Sequence, residues 1–401
     1  MASPSSRIIF HVDLDSFFVS AERLKDPSLV GKCVAVGGTS GRGVISSASY
    51  EARRFGVRSA MPVAQALRLC PGLILLKSDF DWYGELSRKV FDILARYSPI
   101  LEQVSVDEAY LDMTGTRLLW GEPAEAAAHM KRAILAETGL HCSIGVAANR
   151  LVAKVATDHC KPDGLLQISP GDEAGFLAPM SVRKIPGVGA ATAEWLEARG
   201  LSRVADLQSF PEDALERRYG RYGAWLTRAA QGQGSTEFHE PSKSRSSSRE
   251  RTFSENISSR DELHQQLWDL VQELGTDLRK QEEWARGVRL KFRYPDFETP
   301  TRSRTLEYPV CTDQDLFRVA AQLLVESWDQ SRALRLLGVA VVLGPESKSE
   351  RASGPARVPL RQWGLFENPQ RELKREKLDQ LKDRIREKFG ENKVISARPQ
   401  K

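Results

Sequence analysis

The sequence predicts a multidomain protein built from α/β and α+β domains. Its 401 residues suit two to four domains of ordinary size. A hydrophobic content of 41% is enough to bury a core in each, which excludes wholesale disorder. Strand and helix patterns alternate in the N-terminal part. Two segments without apolar periodicity, residues 241–250 and 344–359, separate this part from a compact region and a tail, and we interpret both as linkers.

The composition argues against membrane and secreted classes. Every apolar run is far shorter than the ~20 residues of a membrane span, and the polar N-terminus has no apolar signal core. The five cysteines are scattered and never spaced as Cys-x-x-Cys, which is typical of a reducing compartment. We therefore expect a cytoplasmic protein with no membrane partner. The net charge of +5 permits a polyanionic partner but is a weak indication by itself.

The first element is a short apolar run at residues 8–12, which predicts a buried central strand. The run is followed by Asp13, Leu14 and Asp15 and then by Ser16, a residue type that favours the N-cap of a helix. We therefore expect a helix to start at Phe17. An acid, Asp13, lies at the point where the strand ends.

Two further acids lie between two alternating segments. Residues 104–106 and 109–111 have the strand period of two, which predicts a hairpin with Asp107 and Glu108 at its turn. Acids are poor strand residues and are costly to bury unpaired. A divalent metal would explain these acids together with Asp13, because Mg²⁺ prefers hard oxygen ligands. The alternative is that the three acids cap turns on a solvated rim.

The next elements continue the α/β alternation. Residues 122–136 are Ala-rich and helical, and residues 142–147 are an apolar strand. Asn149 then caps a predicted helix that runs to about His159. The glycine-rich residues 37–43 lack the Gly-Lys-Ser/Thr ending of a phosphate-binding loop, so we interpret them as a turn between strands.

Four segments form an ordered series of motifs. They are His-Val-Asp-Leu-Asp-Ser-Phe-Phe at 11–18, Ala-Ser-Tyr-Glu-Ala-Arg-Arg-Phe-Gly-Val at 48–57, Ser-Val-Asp-Glu-Ala-Tyr-Leu-Asp at 105–112 and Ser-Ile-Gly-Val-Ala-Ala-Asn-Arg at 143–150. The last is followed by Ala153-Lys154 and by Lys-Pro-Asp-Gly at 161–164. The series resembles the Y-family of DNA polymerases, and most closely its bacterial DNA polymerase IV branch. The resemblance covers most of residues 7–345.

The resemblance implies a right-hand-like polymerase with a ferredoxin-like palm, small fingers, a helical helix-hairpin-helix thumb, and a little finger of one sheet plus two helices. It also implies template-directed DNA synthesis of low fidelity, in which dNTPs extend a primer 3′-hydroxyl during translesion synthesis and DNA repair. The implied domains are a palm at 1–16 and 80–168, fingers at 17–79, a thumb at 169–240, a linker at 241–251, a little finger at 252–345 and a tail at 346–401.

By the same resemblance, Asp13, Asp107 and Glu108 are catalytic acids that bind two Mg²⁺ ions, and the Leu14 carbonyl is a backbone ligand. Two such ions can activate an attacking oxygen and stabilise a leaving one. The implied reaction is attack of the primer 3′-hydroxyl on the α-phosphate of a dNTP, with release of pyrophosphate.

The resemblance also identifies residues that hold the incoming nucleotide. Phe18 matches the steric gate, because a rigid ring against the sugar leaves no room for a ribose 2′-hydroxyl; the alternative is ordinary helix core. Arginine suits bidentate phosphate contacts and lysine acts as a point charge. Small side chains at Ser46 and Ser47, near the templating base, imply low fidelity. The implied nucleotide-binding residues are Phe17, Phe18, Ser47, Tyr50, Arg53 and Lys161, whereas Arg54 is expected at the surface.

A short glycine motif predicts one contact with DNA. Gly187, Val188 and Gly189 follow Lys184-Ile-Pro and precede a predicted helix, as in a helix-hairpin-helix. The glycines permit a tight turn, and the helix N-terminus directs free N–H groups at a phosphate. A lone Gly-x-Gly turn is a weak signal, and the basic residues before it strengthen this interpretation.

The region 252–345 predicts a second contact with DNA. Arg289, Lys291 and Arg293 alternate with apolar residues, so at the strand period of two they share one face of a sheet. A predicted helix over 261–277 carries acids instead. A face of basic residues without interleaved acids favours phosphate contacts over a solvated face of mixed sign. The predicted members of this face are Arg249, Arg251, Arg289, Lys291, Arg293, Arg302 and Arg304.

The tail carries a motif that resembles the peptide by which relatives dock on the bacterial sliding clamp. Its anchors are Gln362, Leu365 and Phe366. Many relatives end near this motif, whereas residues 371–390 continue here with helical periodicity, and their role stays open. The expected partners are primer-template DNA, a dNTP and the sliding (beta) clamp, and we expect a monomer.

Three other functions remain as alternatives. One is a catalytically inactive polymerase-like adaptor, against which the intact acids argue. A second is another palm-type enzyme, such as a nucleotide cyclase, which would not need the glycine turn, the basic sheet or the clamp peptide. A pure helix-hairpin-helix binding protein is the third, and it leaves the three acids unexplained.

Overall fold

The computed structural model describes residues 7–239, 244–344 and 369–390. The chain divides into two compact units, Met1–Pro241 and Ser242–Lys401. The predicted clamp-binding residues Gln362, Leu365 and Phe366 lie outside the described residues. None of the described helices is long and apolar enough to cross a bilayer.

The first unit alternates strands and helices, as the sequence predicts. Its elements in chain order are β1 (Ile9–Leu14), α1 (Phe17–Lys25), β2 (Val34–Gly37), β3 (Ile45–Ala48), α2 (Tyr50–Arg54), α3 (Val63–Leu69), β4 (Ile74–Leu76), α4 (Phe80–Leu94), β5 (Leu101–Gln103), β6 (Glu108–Asp112), α5 (Arg117–Trp120), α6 (Pro123–Thr138), β7 (Cys142–Ala147), α7 (Arg150–Cys160), β8 (Leu165–Gln167), α8 (Glu173–Leu177), α9 (Ala190–Glu197), α10 (Val204–Gln208), α11 (Glu212–Tyr219) and α12 (Arg221–Ala230).

The main sheet of this unit has the order β5-β6-β1-β7-β8, with β1 at its centre. β1 pairs antiparallel with β6 and with β7, and β7 pairs parallel with β8. Phe10, Val12 and Leu14 point to a core that includes α4 and α6. Ile9 joins a second core that includes α7. The predicted buried central strand is therefore confirmed, with one helix layer on each side.

A smaller sheet has the order β3-β2-β4. The glycine-rich residues 37–43 connect the antiparallel strands β2 and β3, as predicted. A Cβ added to Gly43 would lie 2.3 Å from the Gly38 carbonyl oxygen, so this turn requires glycine for its close backbone approach. The sheet packs on α2 and α3 through a compact core of its own.

Two local predictions in the first unit need correction. The strand before the acids is Leu101–Gln103 and not residues 104–106, because the amides of Val104 and Ser105 both donate to the Glu108 carbonyl and close a tight turn. Ser16 precedes α1 as predicted, but its hydroxyl donates to the Ala48 carbonyl at 3.2 Å and does not cap the helix. The predicted cap at Asn149 is confirmed.

The second unit contains one sheet and two long helices, as the resemblance implies, and a third long helix from the tail. Its elements are β9 (Ser246–Ile257), α13 (Arg260–Lys280), β10 (Ala285–Arg293), β11 (Thr301–Val310), α14 (Asp313–Ser327), β12 (Leu334–Leu343) and α15 (Pro369–Phe389). The antiparallel sheet has the order β11-β10-β12-β9. Both α13 and α14 pack on the same apolar core, which includes Leu290, Phe292 and Val339 of the sheet.

The predicted linker at 241–251 overlaps the first strand of this unit. Ser246–Arg251 belong to β9, with Ser246 opposite Val342 and Arg251 opposite Leu337 of β12. β9 is an edge strand, and backbone pairing to β12 holds this polar half in place. Apolar contacts begin only further along, at Phe253 and Ile257. Because residues 246–251 include no apolar residue, the sequence pattern did not predict this part of the strand.

The helix predicted at 371–390 is confirmed. Ion pairs and hydrogen bonds attach it to the unit, whereas apolar residues of its helical repeat stay exposed. Arg279, with a side chain only 6% exposed, contacts Asp313 at 2.8 Å and Asp383 of α15 at 2.6 Å. Asp379 of α15 accepts a hydrogen bond from the Asp313 amide. Leu378 and Leu381 stay 51% and 53% exposed. A buried arginine shared by two helices thus fixes α15.

Candidate active site

The pairing of β1 with β6 brings the three predicted acids to one end of the main sheet. Asp13 lies directly opposite Glu108 in the strand register. The Leu14 amide donates to the Asp107 carbonyl at 2.9 Å, which fixes the backbone of the turn against the end of β1. Residues separated by almost a hundred positions in the chain thus become cross-strand neighbours.

Asp13 lies in a largely buried position and forms an ion pair with Lys161. The Lys161 Nζ is 2.7 Å from the carboxylate. Burial raises the pKa of Asp13 to about 6, although Lys161 opposes the change. The metal-free carboxyl therefore takes up a proton as the pH falls through about 6, and any cation bound here would compete with that proton.

Glu108 shows the opposite shift. Its Oε1 contacts His11 Nε2 at 2.6 Å and the ammonium of Lys154. Burial alone raises the pKa of Glu108, but these two hydrogen bonds outweigh burial and lower the pKa to about 2. Asp107 is half-buried and accepts a hydrogen bond from the Ser105 hydroxyl at 2.5 Å.

The oxygen atoms at this end of the sheet are of the type that binds a hard cation, although the acidic side chains do not converge on one point in the metal-free structure. Asp13, Asp107, Glu108 and the Leu14 carbonyl are all oxygen donors, the type that Mg²⁺ prefers. Within residues 7–239, 244–344 and 369–390, no group of three or more His, Cys, Asp or Glu side chains is arranged to hold a metal. Lys161 and Lys154 instead compensate the carboxylates in this arrangement.

The predicted gate, Phe18, is half-buried at the start of α1. Its ring stacks on Tyr83 with centroids 4.5 Å apart and contacts Phe80 edge-on at 6.0 Å. These contacts hold the ring in one orientation. The ring of Phe17 lies in the core. The predicted nucleotide contact of Phe17 is therefore limited to its backbone atoms.

The predicted phosphate contacts Tyr50 and Arg53 form one unit on α2. The Arg53 guanidinium lies over the Tyr50 ring at 4.7 Å and donates to the Ala48 carbonyl at 3.0 Å. Arg54 is exposed, as expected. Ser47 is buried in β3, immediately before α2.

Sequence reasoning missed Asp15, which organises this region. Its carboxylate accepts hydrogen bonds from the Tyr50 hydroxyl at 3.0 Å, from the Ser143 hydroxyl at 3.0 Å and from the Asp163 amide at 2.7 Å. Asp15 thereby connects Tyr50, a predicted nucleotide contact, to the loop that follows Lys161. The available signal was a second acid two positions after Asp13 beside a strand end.

The glycine motif forms the predicted turn before a helix. Gly187 has φ +97°, a left-handed conformation that favours glycine, and its carbonyl accepts a hydrogen bond from Tyr222 at 2.9 Å. Val188 packs on the core of α9 and α12. Gly189 is the N-cap of α9, and an added Cβ would meet nothing within 4 Å. The start of α9 is therefore open on the side of Gly189.

The sheet of the second unit carries three basic residues on its face opposite the core. In β10, Val288, Leu290 and Phe292 are buried, whereas Arg289 is exposed and Lys291 and Arg293 are half-buried. The strand neighbours on this face are small, with Arg289 opposite Ala340 and Lys291 opposite Gly338. We call the surface around Arg289, Lys291 and Arg293 the open face.

The prediction that seven basic residues share this face is wrong for four of them. Arg249 and Arg251 lie opposite Val339 and Leu337, which point into the core, and thus face the helices. On β11, Arg302 and Arg304 lie opposite the buried Leu290 and Val288. Three of the four form ion pairs with helix acids, Arg249 with Asp277, Arg251 with Glu273 and Arg304 with Glu326.

An acid also interrupts the open face, which the sequence interpretation did not allow for. Glu250 of β9 contacts Lys291 at 2.7 Å across Gly338. A Cβ on Gly338 would lie 2.7 Å from the Glu250 Cβ, so glycine permits this close crossing. The open face is therefore basic through three residues, one of which is already paired.

Family models match three parts of the chain. Residues 12–158 match the impB/mucB/samB family, residues 244–348 match the impB/mucB/samB family C-terminal domain, and residues 170–201 match the IMS family HHH motif. The last range contains the turn at Gly187–Gly189. The three matches thus cover both units.

Curated relatives and solved structures agree with these matches. The chain is 37% identical over 395 residues to the DNA polymerase IV of Desulfatibacillum aliphaticivorans, which covers 98% of this chain and 97% of the relative. It is 42% identical over 340 residues to that of Halorhodospira halophila, covering 84% and 94%. A Y-family DNA polymerase chimera of Dbh and Dpo4 is similar in structure, with a TM-score of 0.75, 27% identity and coverage of 84% and 98%.

The contacts of Glu108 predict a loss of stability when its charge is removed from the metal-free protein. A folded-state pKa below the unfolded value means that ionised Glu108 stabilises the fold above about pH 4.5, and that this contribution is lost as the pH falls toward about 2. We expect Glu108→Gln to lower the free energy of unfolding at pH 7 by about 1–3 kcal/mol. Thermal unfolding in chelator measures this change.

Asp107→Asn is the matched control, because Asp107 bonds to a serine hydroxyl and not to a cation. Its stability should stay within about 0.5 kcal/mol of wild type. Equal melting temperatures for wild type and Glu108→Gln would show that His11 and Lys154 do not stabilise the charge of Glu108.

Proposed function

Because the chain belongs to the impB/mucB/samB family, the Y-family of DNA polymerases, it is a DNA-directed DNA polymerase, and we propose that it works by two-metal catalysis with low fidelity. The template-directed synthesis would serve translesion synthesis and DNA repair. The observation that carries the proposal is the register of β1 and β6, which places Asp13 opposite Glu108 and beside Asp107.

In this proposal the acids act together with the primer terminus. Asp13, Asp107, Glu108 and the Leu14 carbonyl would hold two Mg²⁺ ions, which lower the pKa of a primer 3′-hydroxyl and neutralise phosphate charge. Lys161, paired with Asp13 at 2.7 Å in the metal-free protein, would turn its ammonium from this carboxylate to a dNTP phosphate. The reaction joins the primer oxygen to the α-phosphate and releases pyrophosphate.

We propose that α1, α2 and β3 hold the dNTP. Arg53 would contact the triphosphate, with its guanidinium supported by the Tyr50 ring and the Ala48 carbonyl. Tyr50 is itself held by Asp15. Phe18, stacked on Tyr83, would lie against the sugar. Small residues at Ser46 and Ser47 leave room around the templating base and favour low fidelity.

We propose two contacts with primer-template DNA, one in each unit. The turn at Gly187–Gly189 would place the amides at the start of α9 against a phosphate. The open face would place Arg289, Lys291 and Arg293 along the DNA backbone. The domain division into palm, fingers, thumb, little finger and tail stays part of this proposal, with the little finger starting earlier, at β9.

We propose that Gln362, Leu365 and Phe366 dock on the sliding clamp, that the protein is a monomer, and that it is cytoplasmic. The sequence supports the clamp contact, because one amide side chain and two apolar side chains lie within a segment of five residues. A docking peptide of this kind would raise the local concentration of polymerase at the primer end.

The central test of the proposal is primer extension with dNTPs and Mg²⁺. Asp107→Ala and Glu108→Ala should each lower the extension rate by about 10³-fold or more, because several kcal/mol of transition-state stabilisation are lost. DNA binding, measured by fluorescence anisotropy, should persist. Glu137→Gln, which removes an exposed acid paired with Arg96, is the control and should extend normally.

A wild-type extension rate in either alanine variant would contradict the assignment of these acids as catalytic. Absence of extension by the wild-type protein with retained DNA binding would favour the adaptor or the helix-hairpin-helix binding protein. Conversion of ATP to cyclic AMP would favour the cyclase.

The gate predicts a change in sugar selection. Phe18→Ala should lower discrimination against ribonucleotides at least about tenfold, a transition-state difference of about 1.4 kcal/mol, because the ring no longer fills the space of the 2′-hydroxyl. Single-nucleotide insertion of dNTP and rNTP measures the ratio. Phe18→Tyr keeps a planar ring and should keep the discrimination; unchanged selection in Phe18→Ala would refute the role.

The open face predicts a salt-dependent loss of DNA binding. Replacement of Arg289, Lys291 and Arg293 by Gln should weaken binding and make the slope of log affinity against log salt less steep by about 2–3. The control replaces Arg249, Arg251 and Arg304, which removes the same charge from the helix side of the sheet. Equal slopes for both triple variants would mean that total charge, and not the open face, sets the affinity.

The tail predicts a loss that appears only when the clamp is present. Deletion of residues 362–366 should leave basal extension unchanged and abolish clamp stimulation, because the docking anchors are removed. Deletion of residues 351–355 is a length-matched control that should keep the stimulation. Stimulation retained after loss of 362–366 would place the clamp contact elsewhere.

A further inference from the structure

A chain of buried contacts extends from Glu108 to α7. His11 is fully buried in β1, one side-chain repeat before Asp13 and therefore on the same face of the strand. Its Nε2 is 2.6 Å from Glu108 Oε1, and its Nδ1 is 2.8 Å from the hydroxyl oxygen of Thr157, also fully buried. The imidazole thus connects a catalytic acid to the middle of a helix.

A glycine makes this connection possible. Gly145 of β7 lies directly opposite His11 in the register. A Cβ at Gly145 would lie 2.1 Å from the Ala153 carbonyl oxygen and 2.7 Å from the Thr157 hydroxyl oxygen. Only glycine therefore lets α7 approach the sheet closely enough for Thr157 to reach His11.

The proton positions follow from counting donors. A carboxylate only accepts hydrogen bonds, so Nε2 must carry a proton in its contact with Glu108. The Thr157 hydroxyl oxygen lies 2.8 Å from Nδ1 and 3.0 Å from the His11 and Ala153 carbonyl oxygens, and in a neutral imidazole Nδ1 is an acceptor to which this hydroxyl can donate. Thr157 therefore holds the imidazole through Nδ1, with Nε2 directed at Glu108.

We propose that His11 and Thr157 are positioning residues that hold the Glu108 carboxylate for cation binding. Both His11 and Lys154 contact Oε1, so neither engages Oε2, which is left for a metal ion. Hydrogen-bonded partners of metal ligands commonly change metal affinity 10–100-fold when mutated. The inference rests on the proposed function, because it takes Glu108 to be a metal ligand.

The experiment measures metal binding separately from catalysis. The full chain is bound to primer-template DNA with a dideoxy-terminated primer and a dNTP, so that no bond can form, and Mn²⁺ is titrated by electron paramagnetic resonance. Thr157→Val has the same shape without the hydroxyl and should weaken Mn²⁺ binding about tenfold. In extension assays it should raise the Mg²⁺ concentration for half-maximal rate more than it lowers the rate at saturating Mg²⁺.

Conservative and matched variants distinguish positioning from packing. Thr157→Ser restores the hydroxyl and should restore most of the Mn²⁺ affinity. Thr227→Val removes another threonine hydroxyl that donates to a helical carbonyl four residues earlier, in α12, and should bind Mn²⁺ as wild type does. If Thr157→Val does not fold, His11→Gln, which keeps a donor, should bind Mn²⁺ more tightly than His11→Phe.

The outcomes separate this inference from the proposed function. Wild-type Mn²⁺ affinity in Thr157→Val, together with a loss in Glu108→Gln, would overturn the positioning role and leave the catalytic acids in place. Wild-type affinity in Glu108→Gln as well would overturn both. Equal affinities in His11→Gln and His11→Phe would also contradict the positioning role.

Discussion

The register between β1 and β6 is the constraint on which the site depends. Asp13 and Glu108 meet because Ile9 lies opposite Asp112 and the pairing continues without a shift to the strand end. A slip by one residue would turn Asp13 toward the apolar core and Phe10 toward α7. The alternating apolar residues of the central strand therefore do more than bury a core. They determine which acids lie on the α7 side at the strand end, and Gly145 then determines how near α7 can approach them.

Basic side chains lie next to the acids at this end of the sheet and compensate their negative charge. Lys161 compensates Asp13, and Lys154 with His11 compensates Glu108. The pKa values of the two carboxyls nevertheless shift in opposite directions, because burial outweighs Lys161 at Asp13, whereas at Glu108 the hydrogen bonds and charges of His11 and Lys154 together outweigh burial. In the metal-free protein Asp13 therefore takes up a proton at a higher pH than Glu108 does. Under the proposed function, a cation that takes over the carboxylates would release Lys161 for a phosphate, which would couple nucleotide binding to metal binding.

Local sequence patterns predicted much of the fold, and long-range pairing accounts for what they missed. The strand at Cys142–Ala147 and the Asn149 cap follow from short-range sequence patterns, whereas the sheet and two helices of the second unit were implied by the resemblance. The sheet face on which Arg249 and Arg302 lie does not follow from periodicity, because it depends on the register of two edge strands with their neighbours. Likewise, the importance of Thr157 becomes visible only through a contact with a residue 146 positions away. Periodicity shows which residues of a strand share a face. The pairing with neighbouring strands determines whether that face packs on the helices or is exposed to solvent.

The central claim is that Asp13, Asp107 and Glu108 hold two cations at this strand end. A crystal structure of the protein with dideoxy-terminated primer-template DNA, the matching dNTP and Mg²⁺ tests it most directly. The account predicts two ions about 3.5–4 Å apart, with carboxylate oxygens of all three acids and the Leu14 carbonyl at about 2.0–2.1 Å from one or both ions. It also predicts that Lys161 has left Asp13 for a phosphate oxygen. Ions bound by the triphosphate alone, with Asp13 still paired to Lys161 and Glu108 to Lys154, would contradict it.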